Sequence, residues 1–178
     1  ISIGTWAPGS MPIVYPNSSL IKMGIELPAN GEIGMQIHTP KGTAGQLIDI
    51  KLRMYLYPVN ESGVRQVHDT VPLQYWANDF FIPAGQVKSF SVEEVWPPQN
   101  VSIFSAFPHS HQICSEILNY AYKPQTNDTI PLMKIDRWDF EHQEYYYYKN
   151  LVKVPAGYTV HSTHSFDNRS TNHHNPNS

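Results

Sequence analysis

Histidine is the residue type here best placed to do chemistry, with nine in 178 residues. The sharpest arrangement is His109-Ser110-His111, directly after Pro108. In an extended strand, residues i and i+2 point to the same face. Both imidazoles can then converge on one ion, and imidazole nitrogen suits copper and zinc. Two surface histidines would give the same pair, and spacing alone does not separate the two readings. His38 closes the run Met35-Gln36-Ile37-His38. On a strand, Gln36 and His38 share one face, and Met35 and Ile37 pack inward on the other. A lone histidine on a strand is more often structural than metal-bound. His161 and His164 fall on opposite faces of a strand, and His173-His174 lies in a polar tail, so none of these four is expected to ligate.

Cys114 is the only cysteine, so no internal disulfide can form. It stands three residues past His111 and therefore on the other face. A buried apolar thiol is expected there, with a copper thiolate as the weaker option. The acidic residues Asp136, Asp139, Glu141 and Glu144 are interleaved with aromatics and are expected to make loop hydrogen bonds. There is no phosphate-binding glycine loop, nucleophile elbow or paired CxxC.

The elements that must position these side chains are strands. Fifteen prolines and ten glycines are spread along the chain. The apolar residues sit in short runs bounded by turn signals, the pattern of strands rather than helices. Strands are expected over 34–38, 47–57, 71–76, 87–95, 101–106, 111–122, 132–139, 145–152 and 159–166. The clearest alternation is in 47–57: Leu52, Met54 and Leu56 face one way, and Lys51, Arg53, Tyr55 and Tyr57 the other. Such alternation fits a half-buried antiparallel strand. Two Pro-Ala-Gly turns, at Pro83-Ala84-Gly85 and Pro155-Ala156-Gly157, each precede a strand. The polar stretch 58–65 is expected to be a linker or a long hairpin loop, and 168–178 a loop. Many short strands at regular spacing imply an all-β sandwich or jelly roll.

Composition supports a packed core. Hydrophobic residues make up 40% and aromatics 12%, against 15% charged, where ~25% charged is usual. Disordered chains lack aromatic and β-branched residues. The net charge of −3 and the absence of a basic stripe exclude nucleic acid as an expected partner. No apolar run approaches the ~20 residues that a membrane-spanning helix needs. Asn17, Asn60, Asn100, Asn127 and Asn168 each begin an Asn-x-Ser/Thr sequon. In a secreted eukaryotic protein these are glycan acceptors; in an Asn-rich chain, turn chemistry accounts for them equally. The chain opens without an initiator methionine or signal peptide, and the expectation is a processed or partial product.

Several of these motifs line up in order. Trp6-Ala7-Pro8-Gly9, Pro16 and Met35-Gln36-Ile37-His38 come first, followed by Ile82-Pro83-Ala84-Gly85 and Phe107-Pro108-His109-Ser110-His111. Trp138-Asp139-Phe140 with Gln143 and Tyr145, Val154-Pro155-Ala156-Gly157, and Phe166-Asp167-Asn168 leading to Asn175-Pro176-Asn177 complete the series. This series resembles the copper type II, ascorbate-dependent monooxygenases, the family of peptidylglycine α-hydroxylating monooxygenase and dopamine β-monooxygenase, and its bacterial members in particular.

The resemblance covers nearly the whole chain and implies parts of two tandem antiparallel jelly-roll β-sandwiches. Residues 1–60 would be the end of an N-terminal domain and 61–178 most of a C-terminal one. It implies up to two copper ions in the complete parent. His109 and His111 look like the two histidines of the oxygen-activating copper. His38 looks like the third histidine of the electron-transfer copper, with Gln36 near it. The reaction implied is O2-dependent hydroxylation of a C–H bond in a small-molecule or peptide substrate. Ascorbate or another reductant is the co-substrate, and the compartment is the periplasm or the extracellular space. Two parts of the pattern fall outside the chain: the adjacent His-His pair would precede residue 1, and a methionine ligand would follow the Asn-Pro segment. Met133 does not match that methionine.

A second reading is a non-catalytic sandwich module of a larger secreted assembly, with further domains or subunits as partners and a residual copper site or none. A third is a carbohydrate- or surface-binding jelly roll using exposed aromatics, with no metal at His109 and His111.

Overall fold

A computed structural model describes residues 2–7, 9–39, 42–47, 49–58, 60–69 and 80–176. The chain is all-β, and among the described residues there is no helix. These residues form two compact units, one of residues 14–68 and one of 1–13 together with 69–178.

The smaller unit holds β1 (Lys22–Gly24) and β2 (Val64–Gln66), paired in parallel. Met23 is buried beneath the pair, and Lys22 forms an ion pair with Glu61. β2, from the expected segment 61–178, pairs with β1, from the expected segment 1–60. The expected strand 34–38 and the described residues of 47–57 lie outside strands. Met35 and Ile37 are 49% and 51% exposed, so the inward packing expected of them is absent. Leu52, Met54 and Leu56 are likewise exposed. The reason is physical: alternation marks two faces of a segment, but a strand exists only when a neighbour completes its ladder. The expected strand 71–76 lies outside the described residues.

The larger unit holds the remaining strands: β3 (Val87–Val95), β4 (Val101–Ala106), β5 (Cys114–Lys123), β6 (Asp128–Ile135), β7 (Tyr146–Val154) and β8 (Thr159–Asp167). One sheet runs in the order β3-β8-β5-β6 and the other pairs β4 with β7; every pairing in both is antiparallel. The two Pro-Ala-Gly turns lead into β3 and β8, with Gly85 at φ +78° and Gly157 at φ +77°, values that a side chain would disfavour.

The two sheets share a core. Val154 of β7 lies in one buried cluster with Ala121 of β5 and Val160 of β8, and Val101, Ile103 and Val152 pack against it. A second cluster joins Phe90, Cys114, Ile117, Trp138 and Phe166. Antiparallel sheets meeting across a shared apolar layer form a β-sandwich. Register puts the inner face in rows. Phe90 of β3, His164 of β8, Ile117 of β5 and Ile135 of β6 form one row. Ser162, Asn119 and Met133 lie in the next.

The outer face of β8 is polar. Thr163 and Ser165 hydrogen-bond Ser91 and Ser89 across to β3 at 2.8 Å each. His161 donates from Nδ1 to Glu93 at 2.7 Å, and Tyr122 donates to the same carboxylate at 3.2 Å. The His161 bond, with Tyr122 adding to it, holds the Glu93 carboxyl below the usual carboxylate range. A depressed carboxyl stabilises the fold above the ordinary glutamate value of ~4.3. That contribution is lost as pH falls through the depressed value. In His161→Phe the Glu93 titration therefore moves up toward the ordinary value, as followed by NMR; an unmoved midpoint contradicts the assignment.

The tail is pinned rather than free. Asn175 is buried and donates to Asn168 Oδ1 at 2.9 Å, while Asn168 Nδ2 donates to the Ile82 carbonyl at 2.8 Å. Asn17, Asn60, Asn100 and Asn127 are exposed. The Asn168 amide, which a glycan would need, is already engaged.

Candidate metal centre

β4 ends at Ala106 and β5 begins at Cys114, so the histidine pair sits in the connection between them rather than in a strand. The connection is nevertheless extended. Pro108 and Ser110 are buried while His109 and His111 are exposed. Ser110 turns inward and both imidazoles emerge on one side, with ring centroids 5.7 Å apart. The Cys114 amide donates to the His111 carbonyl at 2.9 Å and closes the turn into β5.

The hydrogen bonds around Gln143 orient the His109 ring. Gln143 is 2% exposed and lies in the loop after β6. Its Nε2 donates to the Phe140 carbonyl at 2.8 Å. That orientation leaves Oε1 as the acceptor toward His109 Nδ1, also at 2.8 Å. Nδ1 must then carry the proton, and in the neutral ring Nε2 presents a lone pair. A histidine held through Nδ1 by an acceptor, with Nε2 open, has the arrangement typical of a metal ligand. Gln143 belongs to the Trp138–Tyr145 motif noted above, but nothing in the sequence pairs it with His109. The two are 34 residues apart.

Other contacts brace this loop. The Trp138 amide donates to the Ser115 carbonyl at 2.9 Å, and Asp139 Oδ1 accepts from the Glu141 amide at 2.9 Å. The ring of Phe140 lies 6.4 Å from that of His111. From the N-terminal segment, Ser10 Oγ donates to the Gln143 carbonyl, and the Thr5 amide donates to Tyr145 Oη at 3.1 Å. Gly9, at φ +86°, passes so close that a Cβ there would meet the Glu141 carbonyl oxygen at 2.7 Å. Gly9→Ala therefore combines a disfavoured backbone conformation with a backbone clash. It should lower unfolding free energy by more than about 1 kcal/mol, measured by urea denaturation; an unchanged midpoint contradicts this account.

Cys114 is buried and its thiol donates to the Glu116 carbonyl at 3.6 Å. Burial pushes the thiol up from its ordinary value, which makes it a poor nucleophile. Alkylation of Cys114 should be slow in the folded chain and fast in denaturant. Equal rates would contradict its burial.

His164 lies on the inner face of β8, and burial, with the charge of His109 second, disfavours its protonated form. His38 and Gln36 are exposed in the smaller unit, and His173 and His174 are exposed at the tail. The acidic residues act locally: Asp136 pairs with Lys134 at 2.6 Å, and Glu144 accepts from His142 at 2.9 Å. Among the described residues no three His, Cys, Asp or Glu side chains converge closely enough to hold a metal ion. His109 and His111 thus offer two donors on one side. Comparison of the chain with known protein families, and with curated proteins, gives no match.

Proposed function

We propose that this chain is part of a copper-dependent, monooxygenase-like protein, with His109 and His111 holding a copper ion on a jelly-roll sandwich. One observation carries the reading: the buried Gln143 fixes the His109 tautomer so that Nε2 is open to a metal. Copper bound there supplies O2-dependent hydroxylation of a C–H bond, with ascorbate or another reductant giving the electrons. The chain's own residues hold and orient the donors. Gln143 keeps the proton on His109 Nδ1, and buried Ser110 keeps both rings on the same side. The edge formed by half-buried Phe140 and exposed His111 is where a small-molecule or peptide substrate would approach. His38, with Gln36 beside it, belongs in this reading to a second copper whose other ligands lie outside the chain. The setting is periplasmic or extracellular.

The alternative is a non-catalytic β-sandwich module of a larger secreted assembly. The two-donor geometry favours it, since no third His, Cys, Asp or Glu side chain meets the pair among the described residues. Oxygen uptake separates the two. The copper-loaded protein, given ascorbate, should consume O2 faster than free copper at the same concentration, and His111→Ala should return the rate to that of free copper. A rate equal to free copper in the unaltered protein leaves the module reading.

A further inference from the structure

We infer that this chain carries N-linked glycans at Asn17, Asn60, Asn100 and Asn127, and that Asn168 stays bare. The inference stands on the sequons and the fold, and does not depend on the copper reading above.

Twelve asparagines and twenty-four serines and threonines in 178 residues would place about one or two Asn-x-Ser/Thr triplets by chance, and five are present. None has proline at its middle position. Turn chemistry is the other account of a loop asparagine, and it works through side-chain hydrogen bonds to nearby backbone. Among the described residues, the side chains of Asn17, Asn60 and Asn127 make no such bond. Asn100 Oδ1 accepts from the Ala156 amide at 3.0 Å, which leaves Nδ2, the atom that takes the sugar, unused. All four asparagines are exposed, and so are Ser19, Ser62, Ser102 and Thr129, which close their triplets. A bulky, polar glycan requires such a surface.

Asn168 differs on every count. It is half-buried, its Nδ2 donates to the Ile82 carbonyl at 2.8 Å, and its Oδ1 accepts from buried Asn175 at 2.9 Å. A sugar on that nitrogen would break the pin that holds the tail.

Strand direction places these sites within the larger unit. β4 runs from Val101 toward the histidine pair, so Asn100 marks the opposite end. Val101 stands opposite Val154, where the turn 155–157 leads into β8 at Thr159. Thr159 stands opposite Tyr122, close to the β5–β6 turn that holds Asn127. Phe166 stands opposite Cys114, so Asn168 lies at the histidine end. Glycans at Asn100 and Asn127 therefore leave His109 and His111 clear, and the sequon nearest the pair is the one that the fold closes.

In each transfer Nδ2 bonds to C1 of the first sugar of a polyprenyl-pyrophosphate-linked oligosaccharide. The C1–O bond to pyrophosphate breaks, the lipid pyrophosphate leaves with the electron pair, and the amide proton passes to a base of the transferase. The test takes the chain as its own cells secrete it. An amidase in water labelled with heavy oxygen converts each glycosylated asparagine to labelled aspartate, and peptide mass spectrometry reads the positions. Label at Asn17, Asn60, Asn100 and Asn127, with none at Asn168, is expected. Ser102→Ala and Thr129→Ala each remove a triplet without touching its asparagine, so each secreted variant should lose the mass of one glycan. Label at none of the four, label at Asn168 equal to theirs, or an unchanged mass in both variants overturns the inference.

Discussion

If the proposed site holds copper, binding should fall to background in His109→Ala, and Gln143→Leu should weaken it by roughly 10–100-fold with the ligand itself untouched. The second effect is the more telling. Leucine is close to glutamine in volume, but it cannot accept from His109 Nδ1. The ring is then free to exchange tautomers and to swing, so the open Nε2 is no longer pre-set. Gln143 is buried, and its loss also leaves the Phe140 carbonyl without its donor. That costs about 1–3 kcal/mol of stability. Calorimetric titration with Cu(II) reads the affinity, and denaturation reads the stability separately. A surface pair of histidines that bound copper adventitiously would lose affinity in His109→Ala but would be indifferent to Gln143→Leu. An unchanged affinity in Gln143→Leu would therefore remove the main support for a built site.

Ile117→Ala is expected to cost about 2–5 kcal/mol. Ile117 is fully buried at 0% exposure and stands between His164 on β8 and Ile135 on β6. Truncation removes the transfer term of the lost methylenes and leaves a void between two strands that are fixed by their ladders. Small domains hold only about 5–15 kcal/mol in total, so the variant is expected to be marginal at physiological temperature. Lys153→Ala, at an exposed position of β7, should stay within about 0.5 kcal/mol. Urea unfolding compares the two. Equal midpoints would mean that the β5–β8 interior is not the stabilising layer. In the cold, where Ile117→Ala remains folded, it should still bind copper, since no donor has been touched; loss of binding there would tie the site more tightly to core packing than the geometry suggests.

The legibility of this fold in its sequence is uneven, and particular residues show why. The strands 87–95 and 101–106 were expected with the bounds that β3 and β4 have, because each apolar run is closed by proline or glycine turn chemistry on both sides. β5 to β8 differ from expectation by a few residues at their ends. The pair at 109 and 111 pulled the start of β5 forward to 111, yet the ladder begins at Cys114. The alternation of 47–57 is as regular as any in the chain, yet its described residues form no strand.

What the sequence by itself determined is the strand-rich character, the turns and the histidine pair with its shared side. All of these are local, because side-chain direction follows from the period of the backbone. Tertiary structure alone decided which runs found partners and that Gln143 reaches His109 across 34 residues. Those outcomes depend on ladder register and loop closure between distant segments, and no local period encodes them.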